Sequence, residues 1–555
     1  MGMGADINKI QQIFSELDGV TIETTFSSDS DSNIVGEISL KIPNSIEVLG
    51  FGVKIYPEYP FKRLDTESIT FFNTDLLEYG HVMGNGAVCI HTAHHIDLEK
   101  KIRIDIDSLK RWIDKYYINK ENDNHYEHLI FQPKDFNDAH FSYLFTDIDY
   151  VFNKNQFGFF EYSKIVGGMY MNKKINNNIV QNFRTPFGGL LAECEWSNST
   201  KQLGDKNSGL FVFIENPPAI KKKFIISNWK DLEGLLSHEF FKFLDNFQKN
   251  NQKIKGAPVP LLIGYKISDL EIHWQVAILE IGKFPLESYK ENKIWNGRFV
   301  REEIIWGITR NSSYKYFFGR GGLVEKITNS KILIIGIGAI GSIVATTLAR
   351  GGCVNIDIVD YDIKEPENVC RSEYSFITGL CNKTDDLANE LFRISPFIDV
   401  GILESEKLHF YSKILHGVKD VGVKLEEQLS DYDFIIDCST DNDLLYVLNQ
   451  LHLNRLVTIS ITNNAKDLVC SVEPRSYYWV MNQFENVLEN DLEDFHNPTG
   501  CWNPTFKASY NDINTLVQFA IKHLNVKFSN DSKVLRNFVL KTEVENGFNI
   551  KLNEF

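Results

Sequence analysis

Residues 331–362 constrain the fold more than any other stretch of the chain. Lys331 to Ile335 is a continuous apolar run that leads into Gly336-Ile-Gly338-Ala-Ile-Gly341. Such a run, without polar alternation, suits a strand buried on both faces of a sheet. The glycines permit a tight turn and a close approach of main chain to phosphate. The helix expected from Ile340 to Arg350 then points its N-terminus at the anion. A second strand, Asn355 to Val359, ends at Asp360, placed to bind ribose hydroxyls. Strand, turn, helix, strand and acid make a βαβ unit, which implies a parallel, doubly wound nucleotide-binding sheet.

The chain has 555 residues, too many for one hydrophobic core. Polar breaks at Asn119 to His128 and Arg310 to Gly322 predict three regions, 1–155, 156–310 and 311–555. The first reads as α+β. It has a helix over Ile7 to Leu17, strands over Val20 to Phe26, Ile34 to Ile42 and Val48 to Tyr56, and a helix over Ile106 to Tyr117. The middle region reads as an α/β linker domain with a helix from Trp229 to Phe247. A formal charge of −16 argues against a general nucleic-acid or anionic-membrane binder. Lys221, Lys222 and Lys223 form a basic run of the kind that usually lies on a solvated face. With no signal-peptide pattern and no apolar run of roughly 18 residues, the expected compartment is the cytoplasm. The eight cysteines contain no CxxC pair, so each is read as a core residue or a reactive thiol.

Past Asp360 the chain reads Asp360-Tyr-Asp362-Ile-Lys-Glu-Pro-Glu-Asn368-Val-Cys-Arg371, then Lys383, then an apolar strand ending in Asp437-Cys-Ser-Thr-Asp441-Asn442. Arg371 and Lys383 can hold a triphosphate and stabilise charge during attack at the α-phosphate, and Asp441 can hold Mg²⁺. A nicotinamide site needs no such set, so an NAD-dependent oxidoreductase is the weaker reading. This pattern resembles the adenylating enzymes of the ubiquitin-activating, molybdopterin-synthase-activating and ThiF type, over roughly residues 315–525. Gly336, Gly338, Gly341, Asp360, Asp362, Asn368, Arg371, Lys383, Asp441 and Asn442 fit that family's motifs in order. Ser372 stands where the family has Gln, and Asp437 competes with Asp441 for the metal. The resemblance implies a Rossmann-like adenylation domain using ATP and Mg²⁺. It also implies a homodimer and an arginine from ahead of the strand, for which Arg320 is the candidate and Arg310 the competitor.

Two cysteines stand apart. Cys501 lies in Asn497-Pro-Thr-Gly-Cys501-Trp-Asn-Pro, a loop ahead of a helix over Ile513 to Leu524, where a thiol can be held as thiolate. Cys89 follows the turn signal Asn85-Gly86, downstream of Tyr59-Pro60-Phe61. Tyr59, Pro60, Phe61, Gly86, Val88 and Cys89 resemble the ubiquitin-conjugating enzyme core, over roughly residues 5–120. The family's His-Pro-Asn element has no clean counterpart, which leaves Asn85 and His91 as candidate oxyanion donors. His81, His91, His94 and His95 lack the carboxylate or cysteine spacing of a metal site. For one of them, a base or orienting role is the better reading.

The order conjugating domain, linker, adenylating domain and late cysteine is similar to bacterial fusions in cyclic-oligonucleotide antiphage (CBASS) systems. The resemblance implies ATP-dependent ligation of a partner protein's C-terminus to lysine amines. That partner would be a cGAS-like nucleotidyltransferase, with Cys501 and Cys89 as successive thioester carriers. The alternative is a sulfur-transfer or carboxylate-modifying adenylyltransferase without a conjugating step.

Overall fold

The computed structural model describes residues 6–42, 46–90, 92–121, 127–220, 223–268, 271–291, 294–404, 408, 413–414, 416–472, 476–487, 508–529, 535–545 and 547–555. Two compact units emerge. One comprises Met1–Lys134, Asn153–Gln156 and Val212–Trp306, and the other Asp135–Phe152, Phe157–Phe211 and Gly307–Phe555. The region 156–310 therefore contributes to both.

In the first unit, Asp6 caps the helix Ile7–Ser15 by accepting from Asn8 N. Val20–Ser28, Ile34–Lys41, Val48–Ile55 and Ile69–Phe72 then form a four-stranded antiparallel meander. Alternating residues Ile38, Leu40, Phe51, Val53 and Phe71 pack with Ile10, Phe14, Ile102, Ile106 and Leu109 of the two helices. The second helix begins at Leu98 and ends at Trp112, with a π-helical turn over Ile113–Ile118. Its first two turns lie outside the range expected from apolar spacing, because two charged residues occupy the buried face. Lys101 and Asp105 are 2% and 0% exposed and pair with each other, and Tyr59 Oη donates to Asp105 at 2.8 Å. Burial holds the Asp105 carboxyl above the ordinary range, against the hydrogen bonds from Lys101, Thr92 and Tyr59.

The middle segment of this unit contains the hairpin Pro258–Ser268 and Glu271–Glu280. The single helix expected from Trp229 to Phe247 is broken. It runs Trp229–Leu232, a 3₁₀ turn Glu233–Leu235, extended Leu236, and a new helix His238–Asn250 capped by Ser237. Gly234 weakens helix continuation, and Ser237 offers its hydroxyl to the N–H of Phe240.

The second unit holds Phe157–Lys164, Lys173–Arg184, Ala139–Phe145 and Ile308–Asn311 side by side in one sheet. Its other sheet has eight strands. Asp399–Ile402, Asn355–Val359, Lys331–Ile335, Phe434–Asp437 and Leu456–Thr462 are parallel. Asp467–Ser471, Phe538–Glu543 and Asn549–Glu554 continue it antiparallel. In chain order the parallel strands run 3-2-1-4-5, the doubly wound order, whose direction reverses between Lys331–Ile335 and Phe434–Asp437. Both faces are covered. Ile332, Ile334, Ile356 and Ile358 pack with helices Ala339–Arg350, Lys383–Ile394 and Tyr510–Ser529. Leu333, Ile335 and Ile435 pack with Leu425, Leu444 and Val480 on the opposite side. No helix among the described residues is long and apolar enough to cross a membrane.

Candidate functional site

The reversal point opens into a cavity of about 430 Å³ at the carboxyl ends of the strands. Gly336 turns the chain with φ +74°, and a Cβ there would stand 2.4 Å from Ser439 Cα. Gly338 caps the helix Ala339–Arg350. At Gly341 a Cβ would stand 2.1 Å from Gly336 O, so this glycine lets the helix close onto the turn. Main-chain N–H groups and a helix N-terminus therefore border the cavity as an anion cradle.

Asp360 fixes the turn from the next strand. Its Oδ2 accepts from Ile337 N and its Oδ1 from Asp362 N, both at 2.9 Å. Lys383 is the first residue of its helix and is held at 2.5 Å by Asp362 Oδ2. Across the cavity Asp441 caps the helix Asn442–Leu448, its Oδ1 accepting from Asp443 N and Leu444 N. Asp441 Oδ2 meets no donor among the described residues. Asp441 lines the cavity, and a carboxylate oxygen is the kind of ligand Mg²⁺ takes.

Of the residues singled out from the sequence, Gly336, Gly338, Asp360, Asp362, Lys383 and Asp441 meet on this cavity. Gly341 packs behind it. Asn368, Arg371 and Arg320 are not among its lining residues. Asn368 Oδ1 accepts from Glu365 N at 3.0 Å and Arg371 N donates to Asn368 O, so both belong to the turn after the second strand. Arg320 is exposed in the turn after the helix Tyr314–Phe318, and Arg310 is exposed on the strand Ile308–Asn311.

Sequence reasoning passed over Lys364 and Asp386. They form a buried ion pair at 2.9 Å, 2% and 1% exposed. Lys364 Nζ also donates to Ser375 O at 2.7 Å and to Thr378 Oγ1, tying the crossover after Arg371 to the helix that Lys383 begins. A carboxylate on the buried stripe with Leu387 and Leu391 was the available signal. Lys364→Met leaves the Asp386 carboxyl without its cation inside the protein, an expected loss of about 3–5 kcal/mol in urea unfolding. The double variant Lys364→Met/Asp386→Leu recovers most of that loss.

Asp437 ends its strand 2% exposed, behind the cavity rather than on it. Its Oδ1 accepts from Ser439 N at 3.0 Å and Ser439 Oγ at 2.6 Å. Burial is the main cause that raises its pKa to about 6, and the Asp441 charge adds to it. The fold thus favours the neutral acid. Its stabilising contribution is complete below the ordinary value of 3.8 and is lost as pH rises through about 6. Asp437→Asn keeps the acceptor oxygen and removes the charge. With a chelator present, its melting temperature should equal wild type near pH 4 and exceed it at pH 8.

Cys353 and Cys438 are buried with raised thiol pKa values, that of Cys353 pushed up to about 12, as core residues are. Cys501 lies outside the described residues. Cys89 is exposed. It closes a short two-stranded loop in which Val82 faces Val88, Cys89 N donates to His81 O at 2.8 Å, and Met83 N donates to Ala87 O. Asn85 Oδ1 accepts from Ala87 N at 3.1 Å. At Gly86, with φ +81°, a Cβ would stand 2.9 Å from Thr74 N. His91 is outside the described residues. The His94 ring lies tilted beside that of Phe61, with centroids 5.9 Å apart, and His95 Nδ1 accepts from Asp97 N.

A relative named as the ATP-dependent ubiquitin transferase-like protein Cap2, of Enterobacter hormaechei subsp. hoffmannii, is 23% identical over 357 residues, 59% of this chain and 57% of Cap2. The adenylyltransferase and sulfurtransferase MOCS3 of Drosophila grimshawi is 32% identical over 135 residues, 24% of this chain and 26% of MOCS3. The chain thus spans less than two thirds of the length of these curated relatives. The crystal structure of E. coli MccB with ATP aligns at 16% identity and a TM-score of 0.30, covering 41% of this chain and 65% of that one. Residues 310–464, which carry the glycine turn, Asp360, Asp362, Lys383 and Asp441, match the ThiF family.

Proposed function

We propose that the chain is an ATP-dependent adenylating and protein-conjugating enzyme. It would have a conjugating-type module in residues 1–155, a linker region in 156–310 and an adenylation module in 311–555. The observation that carries this reading is the cavity in which the glycine turn, Asp360, the Asp362–Lys383 pair and Asp441 converge, in a chain that also exposes Cys89 on a tight loop. The likeness to Cap2, which is named as ATP-dependent and ubiquitin transferase-like, extends over 59% of the chain and supports adenylation with ubiquitin-like transfer.

The chemistry would proceed as follows. A protein C-terminal carboxylate oxygen attacks the α-phosphorus of ATP, and the bond to the β-phosphate oxygen breaks to release pyrophosphate. Lys383 would offset charge on the transferring adenylyl group, with Arg371, in the turn after the second strand, as the second candidate cation. Asp360 holds the ribose hydroxyls, and Asp441 would hold Mg²⁺, which supplies charge neutralisation on the phosphates. The Cys501 thiolate displaces AMP from the acyl carbon. The Cys89 thiolate then displaces Cys501, and Asn85 is the candidate donor to the oxyanion. A lysine amine displaces Cys89 and loses a proton to leave an amide. The protein substrate would be a cGAS-like nucleotidyltransferase in antiphage defence, acted on by a cytoplasmic homodimer with Arg320 reaching the site. The MOCS3 likeness favours a second reading, adenylation for sulfur transfer without conjugation.

The test is incubation with Mg-ATP and partner proteins encoded beside this chain, followed by non-reducing gels on wild type, Cys501→Ala and Cys89→Ala. A thiol-sensitive adduct lost stepwise in the two variants supports the relay. ATP–pyrophosphate exchange without any thioester rejects conjugation and leaves the sulfur-transfer reading.

A further inference from the structure

We propose that the hairpin Ala219–Ile220/Phe224–Ile225 is a positioning element for Cys89, and that Lys223 is the residue through which it acts. The inference rests on the reading of Cys89 as an acyl-carrying thiol and gives the middle of the chain a task in that step.

The argument begins with main-chain carbonyls. Residues 77–82 link a 3₁₀ turn to the Cys89 loop and form no regular helix or strand, so their acceptors need partners from elsewhere. Gly80 O accepts from Trp112 Nε1 at 3.1 Å. His81 O accepts from Cys89 N. The carbonyls of Leu77, Tyr79 and Val82 all accept from Lys223 Nζ, at 3.2 Å for Leu77 and 3.1 Å for Val82. An ammonium group has three donors and no acceptor, and here each donor has a carbonyl. Bonds from a charged donor are stronger than neutral ones.

These bonds fall on either side of a strained residue. His81 is a buried non-glycine residue with φ 60°, a conformation that persists only where the surroundings hold it. Its ring lies against Tyr116, with centroids 4.6 Å apart. Lys223 fixes Tyr79 and Val82 around it, and the oxygen of His81 receives the N–H of Cys89. The hairpin therefore holds one strand of the two-stranded loop, and that strand sets the backbone of Cys89. Lys223, the last residue of a run that reads as a solvated face in the sequence, is here turned onto main-chain carbonyls.

The experiment uses the full chain. Hydrogen–deuterium exchange over residues 77–90 and the rate of thioester formation on Cys89 are measured for wild type, Lys223→Met and Lys223→Arg. Lys223→Met should speed exchange in this segment by about tenfold or more and slow Cys89 charging by about tenfold, with ATP–pyrophosphate exchange unchanged. Lys223→Arg, which keeps charge and donors, should restore most of both. Unaltered exchange in Lys223→Met overturns the clamp. Faster exchange with wild-type charging overturns the positioning role. A wild-type protein that never charges Cys89 rejects the conjugation reading itself, and that failure is visible before any substitution at Lys223.

Discussion

Lys383→Ala should lower the rate of ATP–pyrophosphate exchange by about 10²–10³-fold, the range seen when one preorganised charge-stabilising donor is removed from a reacting centre, with little change in melting temperature. The asymmetry of the Asp362–Lys383 pair separates the two effects. The Lys383 side chain is 9% exposed, whereas that of Asp362 is 53% exposed. Once the lysine is gone, Asp362 is left in water rather than in the interior, so the penalty of a stranded buried charge does not arise. What is lost is a cation held by the cavity wall beside the glycine turn. Asp362→Asn should act less severely, because Lys383 keeps its charge and loses only the partner that fixes it. A fall in exchange for Lys383→Ala no larger than for Asp362→Asn would assign the lysine a structural task only. Lys364→Met behaves differently. That variant strands a 1%-exposed carboxylate, so its damage should appear first in unfolding and only then in turnover.

The parallel sheet and its glycine turn were legible because their signals are local. Lys331–Ile335, the glycines and Asn355–Val359 lie within one βαβ unit, where strand burial, turn geometry and helix start are all dictated by neighbours in sequence. Residues that act through distant partners were not legible. Lys101 and Asp105 lie ahead of the helix expected from Ile106, and the reason they are buried in it is a partner far off in sequence: Tyr59, 46 residues away, donates to the Asp105 carboxylate. Lys364 meets Asp386 across a 22-residue crossover, and Lys223 reaches carbonyls more than 140 residues upstream. Ser439 and Thr440 border the cavity because Gly336 packs on Ser439, a contact with no signature in either segment alone. The helix expected over Trp229 to Phe247 failed for a local reason. Apolar spacing continued through a stretch that Gly234 and the Ser237 cap divide.

Cys89→Ala should abolish ligation of the protein substrate, a loss beyond about 10³-fold because the acyl group no longer has a nucleophile to receive it. Pyrophosphate exchange should stay at the wild-type level. The substitution removes one exposed sulfur from a loop whose backbone is set by other groups: Cys89 N bonds to His81 O, Val88 N to Phe71 O, and Asn73 N to Gly86 O. These are main-chain bonds, which an alanine at position 89 can still make. Cys89→Ser tests the same point from the other side. Its hydroxyl occupies the place of the sulfur but accepts the acyl group as an oxyester, which resists dithiothreitol and yields to hydroxylamine. An adduct with that chemistry on Cys89→Ser, and a dithiothreitol-labile one on wild type, identifies residue 89 as the atom-bearing carrier. Asn85→Ala should leave the Ser adduct in place and slow amide formation if its side chain serves the oxyanion. Its Oδ1 also anchors the turn through Ala87 N, so Asn85→Asp, which keeps that acceptor and removes the amide donor, is the variant that separates the two roles. Ligation that survives in Cys89→Ala would move the acyl carrier elsewhere in the chain and leave the tight loop as a binding surface.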